Sequence, residues 1–399
     1  MPNAPWASSV TIDMHDRTTD LHPHQSGAEL QPARLVGGSP RAPTRATTAG
    51  TRRALERDPA TREDFRRAFP RRLTVGALGA GTYLGDCTDD DDDAYARTLR
   101  AAIALGVNLV DTASNYRCQR SERTVGRTLD ALFESGGARR DEVIICTKGG
   151  YLAFDAAPPP SRAAYEAWRE ATLFATGIVT QDELVRGGHS LAPSFLAHQL
   201  AQSRANLRLQ TIDVYYLHNP EEQLLGVDRA QFRARLRAAF TFLEEAAQRG
   251  EIVSYGCATW LGFRVGPEHR QHLTLAELVA VAREVAGTSH HFRLVQLPLS
   301  LAMPEAARVP TQPLGRKMVT LLEAADALGI GVVASAALMQ GRLATGLPDE
   351  VRDLFPECAT DAQRALRFAT SLPGVACALV GMRHGAHLEE NLGAWQRRA

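Results

Sequence analysis

Short apolar runs recur along the chain, with segments of helical periodicity between them. Runs such as 143–146 and 376–380 show no alternation of apolar and polar residues, as is typical of parallel strands buried on both faces. In segments such as 275–286 and 318–328, apolar residues return every three or four positions, which predicts amphipathic helices. Eight apolar runs are centred near Leu78, Leu109, Ile145, Tyr215, Val253, Val295, Val332 and Leu379. These alternating units predict the α/β class, as a (β/α)8 TIM barrel rather than a doubly wound sheet.

Two stretches depart from this rhythm. Residues 1–66 are rich in Ala, Pro, Thr, Arg and Ser and lack a sustained apolar period, so a disordered N-terminal tail is predicted there, followed by the barrel at 67–399. Residues 149–190 form an excess loop after the third strand and are rich in aromatic residues. Because long loops in compact domains are commonly lids or binding loops, this one is predicted to be a partly helical lid or substrate loop, with a plain surface excursion as the alternative.

The acidic run at 89–93 directly follows Thr88. One interpretation is a cation site, and the other is the start of a helix. A threonine N-cap and carboxylates in the first turn both stabilise the positive end of a helix dipole. The run is therefore predicted to begin a helix rather than to bind a metal.

Composition narrows the class of protein. The 399-residue chain is 44% hydrophobic with a formal net charge of zero, so no strong field attracts nucleic acid or an anionic membrane surface. No run of about 18 apolar residues is present, as a transmembrane helix would require. The six cysteines are scattered without metal-ligand spacing, which predicts a reduced, cytoplasmic protein without a structural metal. The oligomeric state is not readable from these features.

Four residues of complementary chemistry follow three of the apolar runs. Asp111 and Tyr116 come at the end of the second run, Lys148 ends the third, and His218 ends the fourth. The carboxyl ends of the strands form the working face of a β/α barrel, so the four side chains are predicted to converge there. Lys148 is one of only two lysines among the 45 basic residues, which favours a role that arginine performs poorly.

These four side chains suit proton donation to an oxygen that gains negative charge. A tyrosine with a pKa of about 10 is a poor donor alone, and a nearby ammonium is expected to lower that pKa. Asp111 can pair with Lys148, and His218 can orient a substrate oxygen by hydrogen bonding. A carbonyl that receives hydride is the obvious proton acceptor. Because no side chain delivers hydride, a nicotinamide cofactor must do so.

The motifs that carry these residues resemble those of the aldo-keto reductase superfamily. The matching segments are VDTASNY at 110–116, CTK at 146–148 and DVYYLHNP at 213–220, in the same order and at the same strand ends. The resemblance covers about residues 72–396. It implies a (β/α)8 barrel that binds NADPH in extended form without a Rossmann glycine motif, and no convincing G-x-G-x-x-G follows a strand here. It also implies reduction of a small-molecule carbonyl substrate.

The resemblance assigns roles to the four residues and to a cofactor site. It implies that Tyr116 is the general acid, that Lys148 and Asp111 tune it, and that His218 orients the carbonyl. Gln296 matches the residue that contacts the nicotinamide carboxamide. The other residues it assigns to the cofactor are Thr82, Tyr83, Thr259, Leu338, Gly341, Gly381, Met382, Arg383, Glu390 and Asn391.

One cofactor residue bears on the choice of nicotinamide. Arg383 can pair with a 2′-phosphate, so NADPH is expected to be preferred, with NADH not excluded. The alternative for Glu390 and Asn391 is an ordinary solvated helix face.

Two departures from the family pattern leave alternatives open. Ala258 and Thr259 stand where a Ser-Asn pair anchors the carboxamide, and Ser335 stands where many members place an aromatic residue. They motivate a second hypothesis, a non-catalytic nicotinamide-cofactor sensor or binding subunit on the same barrel. A third hypothesis is a Schiff-base aldolase or lyase that uses Lys148 as nucleophile.

Overall fold

Eight parallel strands close into a barrel, and their order around it is their order in the chain. The computed structural model describes residues 43–57 and 63–396. The strands in these residues are β1 Arg66–Phe69, β2 Leu73–Gly76, β3 Leu78–Gly81, β4 Leu109–Asp111, β5 Ile144–Gly149, β6 Ile212–His218, β7 Ile252–Ala258, β8 Phe292–Pro298, β9 Gln312–Leu314, β10 Lys317–Val319, β11 Gly331–Ser335 and β12 Val375–Gly381. The barrel consists of β3 to β8 with β11 and β12, whereas β1 with β2 and β9 with β10 form two separate antiparallel hairpins. The predicted (β/α)8 barrel and all eight of its strands are confirmed.

Helices connect most of the barrel strands. They are α1 Thr48–Leu55, α2 Asp89–Ala104, α3 Arg120–Glu134, α4 Arg162–Arg169, α5 Pro193–Leu207, α6 Arg229–Gln248, α7 Leu275–Ala286, α8 Glu305–Arg308, α9 Leu321–Leu328, α10 Asp349–Leu354, α11 Asp361–Ser371 and α12 Gly385–Leu392. Among residues 43–57 and 63–396, no helix is long and apolar enough to cross a membrane. The cytoplasmic location stays a prediction.

The acidic run begins a helix, as predicted. The backbone N–H of Asp91 donates to Thr88 Oγ1 at 3.3 Å, which caps α2. Two of its aspartates do more than complement the dipole, because Asp91 and Asp92 are buried and pair with arginines. The run therefore fixes the first turn of α2 to Arg383 after β12 and to Arg117 after β4.

The N-terminal segment differs from the prediction of a disordered tail at 1–66. Residues 43–57 contain α1, and β1 already begins at Arg66, so the ordered chain starts before 67. Ala54 and Leu55 of α1 are 2% and 3% exposed. Residues 1–42 lie outside the described residues.

Polar contacts with distant residues hold this segment, and local sequence does not reveal them. The backbone N–H of Ala46 donates to Asp213 Oδ1 on β6 at 2.8 Å. Arg53 donates to Asp141 and Glu142 at 2.8 and 2.7 Å. A single eight-residue helix is marginal in water on its own, so these tertiary contacts are what stabilise it.

The loop at 149–190 is partly helical, as predicted. It contains α4, a π-helical turn at Glu170–Phe174 and a 3-10 turn at Gln181–Glu183. Leu152, Leu173 and Val179 form a small apolar cluster with the start of α5, separate from the main core. The loop therefore has its own packing, which gives it a defined shape on the carboxyl-end face of the barrel.

Candidate active site

The four predicted residues meet at the carboxyl ends of three neighbouring strands. Asp111 ends β4, Lys148 lies near the end of β5, and His218 ends β6. Tyr116 lies in the turn after β4, with its ring 5.7 Å from the His218 ring between centroids. The strand pairing of β4 with β5 and of β5 with β6 fixes these spacings, so the barrel itself sets the geometry of the group.

Lys148 contacts both Asp111 and Tyr116 and is only 1% exposed. Its ammonium Nζ donates to Asp111 Oδ1, to the carbonyl of Thr112 at 2.9 Å and to the hydroxyl oxygen of Tyr116 at 3.2 Å. An ammonium has three donors, and each has an acceptor here. Burial alone would lower the pKa of Lys148, but the Asp111 carboxylate and the hydrogen bonds to Asp111 and Tyr116 hold that pKa above its usual value. The side chain therefore stays protonated beside the Tyr116 hydroxyl.

Tyr116 differs from the prediction in the net direction of its pKa. Burial raises the pKa of the Tyr116 phenol, and the Lys148 ammonium offsets that only in part. The lysine was expected to lower this pKa below its usual value; the enclosed position of the phenol, which sequence does not show, outweighs it. At neutral pH the hydroxyl keeps its proton.

His218 is a neutral imidazole in this setting. Burial lowers its pKa well below the usual range, and the positive charge of Lys148 lowers it further. Neutral imidazole carries one N–H and one lone pair, so it can donate one hydrogen bond to a substrate oxygen without transferring charge.

His189 holds the backbone of His218 by a hydrogen bond. The sequence did not indicate this residue. Its Nε2 lies 2.8 Å from the carbonyl oxygen of His218. Its Nδ1 lies 2.7 Å from Gln223 Nε2, which can only donate. Nδ1 is therefore the acceptor and Nε2–H donates to His218. The only sequence signal was a histidine at the end of the long loop.

Two tyrosines border the reacting groups. The Tyr83 ring lies 5.0 Å from the Tyr116 ring, and Tyr83 is 54% exposed. The Tyr151 ring lies 5.0 Å from the His218 ring, and its hydroxyl accepts a hydrogen bond from Asn219 Nδ2 at 3.0 Å. The segment after β3 and the start of the long loop thus contribute aromatic walls to the site.

Three of the predicted cofactor residues lie around the same group. Gln296 Nε2 donates to Asp111 Oδ2 at 2.8 Å, and Thr82 Oγ1 donates to the carbonyl of Asp111 at 3.1 Å. The backbone N–H of Thr259 donates to the carbonyl of Gln296 at 2.8 Å. Its Oγ1 is buried without a hydrogen-bond partner in the described residues. An orphaned buried hydroxyl beside a glutamine fits the carboxamide of a nicotinamide, since buried polar groups ordinarily have partners.

Most other residues predicted to bind the cofactor lie at the end of β12, between β12 and α12, on α12 and in the turn after β11. Gly341 has a φ of +90°, and the space where a Cβ would stand is open. A ligand could therefore approach the backbone of Gly341 closely. Arg383 is half-exposed but already paired with Asp91. Four others differ in their surroundings. Leu338 packs against the core, Gly381 ends β12, Met382 is buried and Glu390 is half-buried.

Asn391 does not lie on a solvated helix face. It is 2% exposed, because its position on α12 turns toward the body of the protein. The alternative interpretation of this residue as an ordinary surface position is therefore wrong.

The sequence profile of the Aldo/keto reductase family matches residues 76–267, which include all four residues of the group. This match and the relatives named next support the aldo-keto reductase superfamily as the family of this chain. Among curated relatives of this family, the D-threo-aldose 1-dehydrogenase of Pseudomonas sp is 26% identical over 332 residues, covering 80% of this chain and 89% of the relative. The L-glyceraldehyde 3-phosphate reductase of Escherichia coli O157:H7 is 24% identical over 334 residues, covering 74% and 77%.

Solved aldo-keto reductases share the fold. An enzyme from Klebsiella pneumoniae, in complex with NADP and acetate, superposes with a TM-score of 0.56 at 19% identity, covering 84% of this chain and 91% of that one. The glycerol dehydrogenase of Gluconobacter oxydans gives a TM-score of 0.57 at 19% identity, covering 84% and 92%. At these identities the likeness concerns the barrel alone.

Proposed function

We propose that this chain reduces an aldehyde or ketone to an alcohol, with NADPH as the preferred cofactor and NADH not excluded. One observation carries the proposal above all others. The charge-paired ammonium of Lys148 lies 3.2 Å from the hydroxyl oxygen of Tyr116, across from the neutral imidazole of His218. An acid that keeps its proton until charge develops beside it suits donation to a carbonyl oxygen.

In this proposal Tyr116 is the general acid. Its hydroxyl donates a proton to the substrate oxygen as that oxygen gains negative charge. Lys148 then stabilises the phenolate left behind, because a charge 3.2 Å away in a buried site interacts strongly. Asp111 keeps the ammonium in place, and His218 donates a hydrogen bond that orients the carbonyl.

NADPH would be held at the carboxyl ends of the strands. Gln296 and Thr259 would face the carboxamide, and Arg383 the 2′-phosphate. When bound, the cofactor supplies the hydride that no side chain can provide. The remaining assigned positions, Thr82, Tyr83, Leu338, Gly341, Gly381, Met382, Glu390 and Asn391, would line its path. One relative, from Escherichia coli, is named an NADH-specific methylglyoxal reductase, so preference for NADPH is not fixed by the family.

The substrate proposed here is a small carbonyl compound. Support comes from the names of two relatives, an aldose dehydrogenase and a glyceraldehyde 3-phosphate reductase. The aromatic walls formed by Tyr83 and Tyr151 would shield its carbonyl from bulk water.

The test is loss of NADPH absorbance with purified full-length protein and a panel of aldehydes and sugars, with NADH in parallel. The proposal predicts turnover that is faster with NADPH. Cofactor binding without turnover on any carbonyl would contradict it and favour a cofactor sensor.

A further inference from the structure

A cavity of about 320 Å³ lies between the long loop at 149–190, the start of α3 and one side of α5. None of the residues that line it belongs to the catalytic group or to the proposed cofactor site. Its volume is at the lower end of the range of roughly 300–1,000 Å³ that small-molecule sites occupy. The cavity is therefore large enough for a monosaccharide and too small for a dinucleotide.

Part of the lining is apolar and aromatic. Leu152, Leu173 and Phe195 line the cavity and belong to the small cluster that the loop forms with the start of α5. Trp168 packs against this cluster and also lines the cavity. Its ring lies 5.0 Å from the Phe154 ring between centroids. The cavity therefore contains two aromatic rings, those of Trp168 and Phe195, that neighbouring side chains hold in place.

A second part of the lining is a hydrogen-bonded polar network. Asn206 Nδ2 donates to Gln119 Oε1 at 3.0 Å, and Asn206 Oδ1 accepts from Arg123 Nε at 3.1 Å. Arg123 Nη1 forms an ion pair with Asp155 at 2.6 Å. Among the described residues that line the cavity, these two are the only charged ones, so the lining has no net charge. A carboxylate on a ligand would meet Asp155 and an ammonium would meet Arg123, so a neutral molecule fits best.

Three other lining side chains have polar groups without partners. The indole N–H of Trp168, the imidazole of His198 and the carboxamide of Gln202 make no hydrogen bond with any residue in 43–57 and 63–396. All three residues are half-buried. Burial lowers the pKa of His198, so at neutral pH its imidazole offers one donor and one acceptor. A hydroxyl likewise donates and accepts, so the three groups match a ligand that carries several hydroxyls.

We propose that this cavity binds a neutral, monosaccharide-sized polyhydroxyl compound. The C–H groups on one side of its ring pack on Trp168 and Phe195, because the face of an aromatic ring is partly negative. Its hydroxyls hydrogen-bond to Trp168, His198 and Gln202. Binding needs neither cofactor nor turnover, so this site goes beyond the proposed carbonyl reduction.

The cavity also borders a residue that holds the start of the long loop. Gln199 lines it and is 1% exposed. Its Oε1 accepts from the N–H of Gly150 at 2.8 Å, and its Nε2 donates to the carbonyl of Tyr151 at 2.6 Å. A ligand that contacts both α5 and the loop adds a second connection between them. It should therefore stabilise the loop against local opening.

Binding is tested first, on full-length protein without cofactor. Methyl α-D-glucopyranoside, methyl α-D-galactopyranoside and myo-inositol have no carbonyl to reduce, and saturation-transfer difference NMR measures their affinities. At least one should bind saturably, and Gln202→Leu and Trp168→Ala should each weaken that binding by about fivefold or more. Gln231→Leu, at an exposed glutamine on α6, is the matched control and should bind like the wild type. No saturable binding of any of the three, or an affinity unchanged in either variant, would overturn the proposal.

The preference for a neutral ligand is tested with two analogues of the glucoside. The methyl glycosides of glucuronic acid and of glucosamine add one negative and one positive charge. Each should bind several-fold more weakly than methyl α-D-glucopyranoside, because each places a charge beside one of like sign. Equal or tighter binding of either analogue would contradict a neutral ligand.

The effect on the long loop is measured by limited trypsin digestion, which does not depend on activity. The loop contains arginines at positions 162, 169 and 186. The bound glycoside should slow cleavage after them by about twofold or more in the wild type, and less in Gln202→Leu at the same concentration. Unchanged cleavage in the wild type despite binding would overturn the effect on the loop. A protein that reduces no carbonyl would contradict the proposed function instead, and these measurements would still decide on the cavity.

Discussion

His189 Nε2 donates to the backbone carbonyl of His218 at 2.8 Å, so the end of the long loop is fastened to the strand that carries the imidazole. His189 is 2% exposed, and burial lowers its pKa to about 4. It therefore stays neutral and keeps this hydrogen bond throughout the neutral pH range. His189 is a positioning residue, since it acts on substrate only through His218.

Replacing His189 with leucine is expected to lower kcat by roughly tenfold or more, because a small misplacement of a reacting group is costly. Steady-state kinetics with NADPH should show the loss in kcat rather than in the KM for the cofactor. His198→Leu, at a half-buried histidine on α5, is the matched control. Equal effects of the two variants would argue that His189 has no positioning role.

Asp91 is expected to weaken the preference for NADPH, because its carboxylate already neutralises Arg383. Asp91→Asn keeps the shape and removes the charge. It should tighten NADPH binding by up to about 1 kcal/mol, or roughly fivefold, with little change for NADH. Fluorescence titration of both cofactors measures this, and Arg383→Gln should act in the opposite direction. Equal changes for the two cofactors would contradict a contact with the 2′-phosphate.

Asp213 is expected to be a main anchor of the N-terminal segment. Its carboxylate accepts from the N–H of Ala46, the N–H of Ile145 and the guanidinium of Arg140, at 2.8, 2.9 and 2.7 Å. Asp213→Ala leaves the two N–H groups buried and unpaired and removes the carboxylate that pairs with Arg140, so the free energy of unfolding should fall by about 3–5 kcal/mol.

Urea titration measures this loss. Asp130→Ala, which removes an ion pair with Arg208 at the surface, should cost less than about 1 kcal/mol. Equal losses in both variants would show that Asp213 is not a special anchor.

Glu221 should make stability depend on pH near neutrality. Its Oε1 accepts from the N–H groups of Trp260, Leu261 and Gly262 at 2.6, 2.9 and 3.2 Å, yet burial raises its pKa to about 7. Because the folded pKa lies above the unfolded value of about 4.3, the free energy of unfolding falls as pH rises from about 4 to 7, by at most roughly 4 kcal/mol.

Glu221→Gln retains an acceptor and cannot ionise. Its Tm relative to the wild type should rise as the pH goes from 5 to 8. Glu245→Gln, at an exposed glutamate on α6, should show no such trend. A constant difference in Tm across this range for Glu221→Gln would contradict the shifted ionisation.

The barrel and the four central residues were predictable because their signals are local. Apolar runs without alternation mark buried parallel strands, and Lys148 and His218 simply end such runs. That the segment with α1 is ordered was not predictable, since its partners, such as Asp141 and Asp213, lie far along the chain. The burial that raises the pKa of Tyr116 depends likewise on the folded surroundings.

Pairings between distant residues also escaped prediction. The run at 89–93 correctly indicated a helix start, but nothing local linked Asp91 to Arg383. The reactive residues at strand ends can thus be predicted from the sequence. The residues that pair with or position their neighbours are known only from the folded structure.

The central claim is that Tyr116 donates the proton, and one comparison tests it most directly. Tyr116→Phe removes the hydroxyl 3.2 Å from Lys148 Nζ and leaves the ring. NADPH binding, measured by fluorescence titration, should stay within about twofold, while kcat for carbonyl reduction should fall by about 10² to 10⁴. Tyr95→Phe, at a buried tyrosine on α2, is the control and should keep both. Full turnover in Tyr116→Phe with unchanged cofactor binding would contradict the account.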